Sequence, residues 1–183
     1  AAKAAGYEVH VATRLNKGRE AIEAEGFVPH ALSWQRGSLS PTHSLAGVAE
    51  LRRLLREIKP DILHNISLKP VLLGGIASIG LSSIAVVNSL TGLGTLFVGI
   101  HRKSELTRPL VVAALRALLK RQGSRTIVQN PDDKRFVLGL GVPEASVELI
   151  PGSGVDTQHF VPLLEPPPPV TAADVSVFAS GVT

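Results

Sequence analysis

The residues best placed to do chemistry lie where predicted strands give way to turns. His64, Asn65, Ser67 and Lys69 follow the apolar run Asp61-Ile-Leu. At the C-terminal end of a strand they would face the crevice where open α/β sheets bind ligands, and Lys69 could meet a phosphate. The opposing reading makes His64 a satisfied core histidine and Lys69 a solvated charge. Thr91-Gly92-Leu-Gly94-Thr95 follows the next strand, and its glycines could turn backbone N–H groups toward a sugar or diphosphate. Asn130 stands at the end of a further strand and joins the candidate set. The run from Ala145 to Pro162 has a short strand, Pro151, and then Gly152, Gly154 and Asp156 in a turn. Proline ends a ladder, glycine permits a sharp turn, and a carboxylate just past a strand lies toward the crevice.

Other chemistry is excluded by spacing. Gly94 and Gly99 match G-x-x-x-x-G, but Ile100-His101 stands where a P-loop needs Lys-Ser/Thr. No G-x-G-x-x-G dinucleotide fingerprint occurs. With no cysteine there are no disulfides, no thiolate catalysis and no cysteine-ligated metal. Catalytic residues cannot be named from the residue pattern, and no metal ligand set stands out.

The elements that must position these residues follow from periodicity. Of the 183 residues 44% are hydrophobic and only 4% aromatic, so aliphatic side chains build the core, as in parallel α/β proteins. Strands are expected at 7–13, 27–33, 61–66, 84–88, 125–129 and 147–150, with helices between them. Asn16 is expected to cap a short helix to Glu25, and Ser40-Pro41 to start one whose apolar positions are Leu45, Val48, Leu51, Leu55 and Ile58. A buried helix is expected from Pro70 to Ile79, and a long one after Pro109 with Leu110/Val111, Ala114/Leu115 and Leu118/Leu119 as its face. Asn130-Pro131-Asp132-Asp133 reads as an N-cap, an N1 proline and two acids on the helix dipole. Alternating strands and helices give an α/β, Rossmann-like parallel sheet with helices on both faces.

Several of these segments resemble retaining nucleotide-sugar glycosyltransferases of family 4, which have the two-domain GT-B fold. They are Gly6-Tyr-Glu-Val-His-Val-Ala-Thr13, Lys59-Pro-Asp-Ile-Leu-His64, Leu138-Gly-Leu-Gly-Val-Pro143, and the closing Gly154-Val-Asp156 with Phe160-Val-Pro162. The similarity spans about residues 1–165 and is closest to bacterial members that extend lipid-linked glycans for capsule, exopolysaccharide or glycoprotein synthesis. It implies an acceptor-side N-terminal domain at 1–162, a proline-rich linker at 163–170 and the start of a donor domain at 171–183. It also implies a nucleotide-diphosphate sugar as substrate, retention at the anomeric carbon, and neither metal nor cofactor. The family holds the donor mainly through basic residues and paired glutamates of its C-terminal domain, so this fragment alone is expected to lack turnover. Many members carry a histidine near the end of the strand at 84–88, where this chain has Asn88-Ser-Leu-Thr91. The residue assisting the acceptor hydroxyl is therefore open. The chain starts in mid-pattern, Ala1–Gly6 reading as a last helical turn stopped by Gly6, so a first strand and most of a first helix are expected to be missing.

Charge adds a partner. Residues 102–125 hold seven basic residues against one acid, Glu105, a net +6 beside +4 for the whole chain. Arg108, Arg116 and Lys120 form one stripe, suited to an anionic membrane surface or a diphosphate head group, or else a solvated face. Nothing aromatic interleaves with these charges, which disfavours nucleic acid. Residues 70–100 carry no charge, but six glycines interrupt them, so a buried helix and strand are expected rather than a membrane span. No secretory signal is evident, so the expected location is cytoplasmic, with peripheral contact at the inner face of the plasma membrane as an option. Two alternative functions stay open: a sugar-nucleotide epimerase of the same fold, and a non-catalytic membrane-surface module.

Overall fold

The computed structural model of the chain describes residues 2–15, 18–33, 41–93 and 102–152, with backbone alone for 41–43 and 102–107. Asn16, Ser40, Gly94, Thr95, Gly154, Asp156 and the linker at 163–170 lie outside the described residues. All described residues belong to one compact unit, Ala1–Gly152.

Two parallel sheets, flanked by helices, make up that unit. Strands β1 (His10–Thr13) and β2 (Val28–Ala31) pair with each other, His10 opposite Val28. Strands β3 (Ile62–Ile66), β4 (Ala85–Leu90), β5 (Ser124–Val128) and β6 (Val147–Leu149) form a four-stranded sheet in sequence order. Helices α1 (Arg19–Ala24), α2 (Pro41–Ile58), α3 (Leu68–Ala77), α4 (Arg102–Leu119) and α5 (Pro131–Gly139) alternate with the strands. The expected α/β class is observed, and so is the left-handed stop at Gly6, which follows a short 3-10 turn at Lys3–Ala5.

Three starts differ from expectation. Helix α1 opens at Arg19 behind Gly18, whose φ of 102° only glycine adopts readily, so Asn16 is not its N-cap. Helix α3 opens at Leu68 rather than Pro70. Proline is tolerated anywhere in the first turn, where N–H groups lack intrahelical partners, so it need not be the first residue. Helix α4 starts at Arg102 and takes Pro109 inside it, at the loss of one ladder bond. Its buried stripe runs through Leu115, Leu118 and Leu119, while Leu110 is 72% exposed and does not join it. Asn130 caps α5 as expected, accepting the Asp133 N–H at 2.8 Å.

Period-two alternation divides the four-stranded sheet into two faces. Leu90, Val128 and Val147 point into the core with Val71 of α3, Leu115 and Leu119 of α4, and Val137 of α5. A second cluster joins Leu51 and Leu55 of α2 to Ala77 and Ile84. Three polar residues run across the core face. Asn65 donates to Asn88 Oδ1 at 3.0 Å, and Asn88 donates to Ser124 Oγ at 3.0 Å. Asn65 and Asn88 are 3% and 1% exposed. Thr126, opposite Asn88 in register, keeps a buried hydroxyl without a partner among the described residues. The opposite face carries Ile62, His64 and Ile66 on edge strand β3, with the two isoleucines 46% and 56% exposed.

Helix α3 fits this core because of two glycines. A Cβ at Gly74 would overlap Asn65 Oδ1, and a Cβ at Gly75 would come within 2.9 Å of Leu118 Cδ1. The helix therefore lies close to β3 on one side and close to α4 on another. Its C-terminal carbonyls are held by two arginines. Arg52 donates to Ala77 O and Ile79 O at 2.7 Å, and Arg121 to Gly75 O at 3.0 Å and Ser78 O at 3.2 Å. Cations near a helix C-terminus also oppose its dipole.

In the smaller sheet the His10 and His30 rings stack with centroids 5.1 Å apart, and His10 Nδ1 lies 2.8 Å from His30 Nε2. One ring must supply a lone pair, so both cannot be protonated while the contact survives. Burial, then the neighbouring His10 and Arg19, lowers the His30 pKa, against an opposing pull from Glu57.

Two stability predictions follow from these contacts. Gly74→Ala should destabilise the protein by about 1–3 kcal/mol through overpacking. Gly139→Ala, a helical site with open space around it, should instead stabilise by roughly 0.5–1 kcal/mol. Urea unfolding of both variants checks this, and equal effects would refute the close approach of α3 to β3. The second concerns pH. With the folded pKa of His30 below its unfolded value near 6.5, the unfolded chain binds protons first as pH falls. Stability should be fully present above that value and decline as pH falls through the folded pKa. His64, also lowered, acts with the same sign. His30→Gln should flatten part of that slope in urea midpoints measured across the range, and an unchanged slope would contradict this assignment.

Candidate functional site

Where the strands of the larger sheet end, the sequence makes β3 stop abruptly. Ser67 has φ 76° and ψ 164°, a region that residues with a Cβ rarely occupy. Its N–H donates to Ser89 O at 2.9 Å, and its carbonyl accepts the Val71 N–H at 3.1 Å. The strained residue thus converts the end of β3 into the start of α3 within one position, while tethered to β4. Gly92, just past β4, has φ 138°, so there the glycine is required by the backbone. No described atom lies within 4 Å of where its Cβ would be.

On the exposed face His64 Nε2 lies 2.7 Å from Ser89 Oγ. The parallel register explains the meeting. His64 pairs with Val87, and Ser89 pairs with Ile66 two residues on, so both side chains share one face on adjacent strands. Partial burial lowers the His64 pKa, which keeps the imidazole neutral at physiological pH. A neutral imidazole hydrogen-bonded to a hydroxyl can present its other nitrogen to a ligand.

The candidates from sequence divide accordingly. His64 reaches the exposed face and, among the described residues, is bonded at one nitrogen only. Asn65 does not face the crevice as expected: it lies inside β3, and alternation turns it into the core. Lys69 is half-buried in the first turn of α3 and has an interaction of its own. Thr91 and Gly92 are exposed beyond β4, and Gly152 is exposed beyond β6. Asn130 uses both polar atoms on its own helix, the second donating to Asp133 Oδ2 at 2.9 Å. Arg108, Arg116 and Lys120 are all exposed along α4 and just past its end. Arg121 and Arg125, counted in the same basic cluster, are engaged with α3 and with Ser146 Oγ. Among the described residues no group of His, Asp and Glu is arranged to hold a metal ion, and no helix is long and apolar enough to cross a membrane.

Ser89 is the site residue that sequence reasoning missed. A lone serine in an apolar strand carries no signal by itself. The useful clue was that Asn65, Asn88 and Ser124 interrupt three apolar strands in turn, which fixes the register and with it the neighbour of His64.

The profile of the glycosyl transferase 4-like family matches residues 1–128, from the first residue to the end of β5. Asn130 and Gly152 lie beyond the match. A search of curated proteins finds none that matches.

The backbone at Ser67 gives a direct test. A non-glycine residue in that region costs on the order of 1–3 kcal/mol. Ser67→Gly should therefore raise stability by about 1 kcal/mol after glycine's added unfolded-state entropy, and Ser67→Val should lower it. Thermal unfolding of the pair decides, and a loss of stability in both would show that the serine side chain matters more than the strain.

Proposed function

The chain belongs to the glycosyl transferase 4-like family, and from that premise we propose that it forms the acceptor-side wall of an enzyme transferring a sugar from a nucleotide-diphosphate sugar to a lipid-linked glycan. In the reaction the acceptor oxygen bonds to the anomeric carbon as the bond to the diphosphate oxygen breaks. The nucleoside diphosphate leaves with the electron pair, and the hydroxyl proton offsets its added charge. Transfer with retention and without a metal belongs to this proposal.

The observation that carries it, beside the family match, is where the polar groups gather. His64, in the middle of β3, meets Ser89 near the end of β4, and Ser67 and Thr91 lie just past the C-terminal ends of these two parallel strands, the side on which open α/β sheets bind ligands. A neutral imidazole beside hydroxyls suits sugar hydroxyls, which need donors and acceptors rather than charge. The donor-holding glutamate pair that the resemblance assigns to a C-terminal domain is not among these 183 residues. This chain alone is therefore proposed to bind acceptor without transferring sugar.

The exposed Arg108, Arg116 and Lys120 extend the proposal to the membrane that carries such an acceptor, at the cytoplasmic face. Each cation near an anionic surface is worth about 1 kcal/mol, so three supply roughly 3 kcal/mol, about a hundredfold in partitioning.

Vesicle sedimentation tests both halves. Three vesicle types are compared: neutral, anionic, and anionic with a polyprenyl-diphosphate-linked disaccharide at matched charge. Binding should rise at each step, and Arg108→Glu with Arg116→Glu and Lys120→Glu should remove the charge-dependent part. Equal binding to the two anionic types would overturn the acceptor reading in favour of a membrane-surface module. Label transfer from a nucleotide sugar by this chain alone would refute the assignment of the donor to another domain.

A further inference from the structure

The Ser89 hydroxyl has one protein partner among the described residues, His64 Nε2 at 2.7 Å. Serine owns one proton and two lone pairs, and a neutral imidazole owns one N–H and one lone pair. Two arrangements satisfy the contact. In one, Ser89 donates into the Nε2 lone pair, and His64 carries its proton on Nδ1. In the other, Nε2–H donates to Ser89 Oγ, and the serine proton finds no protein acceptor. Ser89 is half-buried, so stranding its donor is the costlier choice. His64 Nδ1 has no hydrogen-bond partner among the described residues, and the side chain is exposed.

Rigidity strengthens the argument. The Ser89 carbonyl is held by the Ser67 N–H at 2.9 Å, and Ser89 sits between Ile66 and Ile127 in the parallel register. Its hydroxyl is presented from a fixed backbone to a ring that β3 places on the same face. Which imidazole nitrogen keeps the proton is set by the hydrogen bond the other one makes.

We propose that Ser89 is a positioning residue that holds His64 in the Nδ1–H tautomer, so that Nδ1 offers a hydrogen-bond donor to an oxygen of the acceptor. Free histidine favours the opposite tautomer, with the proton on Nε2. His64 then grips an oxygen lone pair and does not serve as the base that takes a proton from the attacking hydroxyl. The ligand atom is a sugar hydroxyl or a diphosphate oxygen, which share this chemistry. The ligand half rests on the acceptor-side reading above; the tautomer half does not.

The test is two-bond proton–nitrogen correlation of the 15N-histidine-labelled protein, at a pH well above its histidine titrations. His64 is identified by the signal lost in His64→Gln, and His10 and His30 report that the fold is intact. The parent should show a protonated Nδ1 and a bare Nε2 at His64. Ser89→Ala should move the majority of the population to Nε2–H, and Ser89→Thr, which keeps the hydroxyl on a strand-favouring residue, should retain Nδ1–H. A parent already protonated at Nε2, or a tautomer that ignores Ser89→Ala, overturns the proposal. Titration with methyl glucoside and, separately, inorganic pyrophosphate then identifies the oxygen. A shift of His64 Nδ1 with the first assigns a hydroxyl, and with the second a diphosphate. No shift with either overturns the ligand half, whatever the vesicle result, and failure of glycan binding to vesicles leaves the tautomer result standing.

Discussion

The larger sheet depends on a row of hydrogen bonds that an apolar core could not supply. Asn65, Asn88 and Ser124 sit on consecutive strands and bond in sequence beneath three helices. Hydrophobic alternation rules out a one-residue slip, which would turn the apolar set to the other face, but says little against a slip of two. A buried amide, by contrast, costs about 1–3 kcal/mol if its partner is displaced. A two-residue slip would keep each face apolar yet separate Asn65 from Asn88, so the polar row makes the observed register the favoured one. Gly74 belongs to the same constraint, because Asn65 Oδ1 occupies the space that any larger side chain would need. The meeting of His64 with Ser89 on the far face is a consequence of that register.

Much of this architecture was legible in the sequence, and the failures have physical causes. Strand and helix alternation follows from aliphatic periodicity, and the Asn130 cap from local side-chain chemistry that needs no tertiary information. Helix α4 was misread because proline is a local signal, whereas the packing of Leu115, Leu118 and Leu119 on the core is not. Asn65 was misread because it lies inside the strand, where alternation and the helix packed on it decide which face a side chain takes. The His64–Ser89 pair, 25 positions apart, carries no local signal, since it exists only once two strands are in register.

The basic residues show how composition can mislead. Arg52 and Arg121 close the C-terminal end of α3, and Arg125 reaches Ser146, so part of the positive charge maintains the fold. The exposed stripe at Arg108, Arg116 and Lys120 is smaller than the local net charge suggests, and it is confined to one helix and its end. The site face, by comparison, works with neutral groups. Partial burial lowers the pKa of His64.

Strand β3 has one further consequence, arising from its place at the rim of the four-stranded sheet among the described residues. Ile62 and Ile66 stand on it uncovered, and its five residues, Ile-Leu-His-Asn-Ile, include no lysine, proline or bulge to discourage a second strand. A rim of this kind is a template for edge-to-edge pairing between molecules. The imidazole in the middle of the strand is a weak gatekeeper, repelling a copy of itself only in acid, where it gains charge.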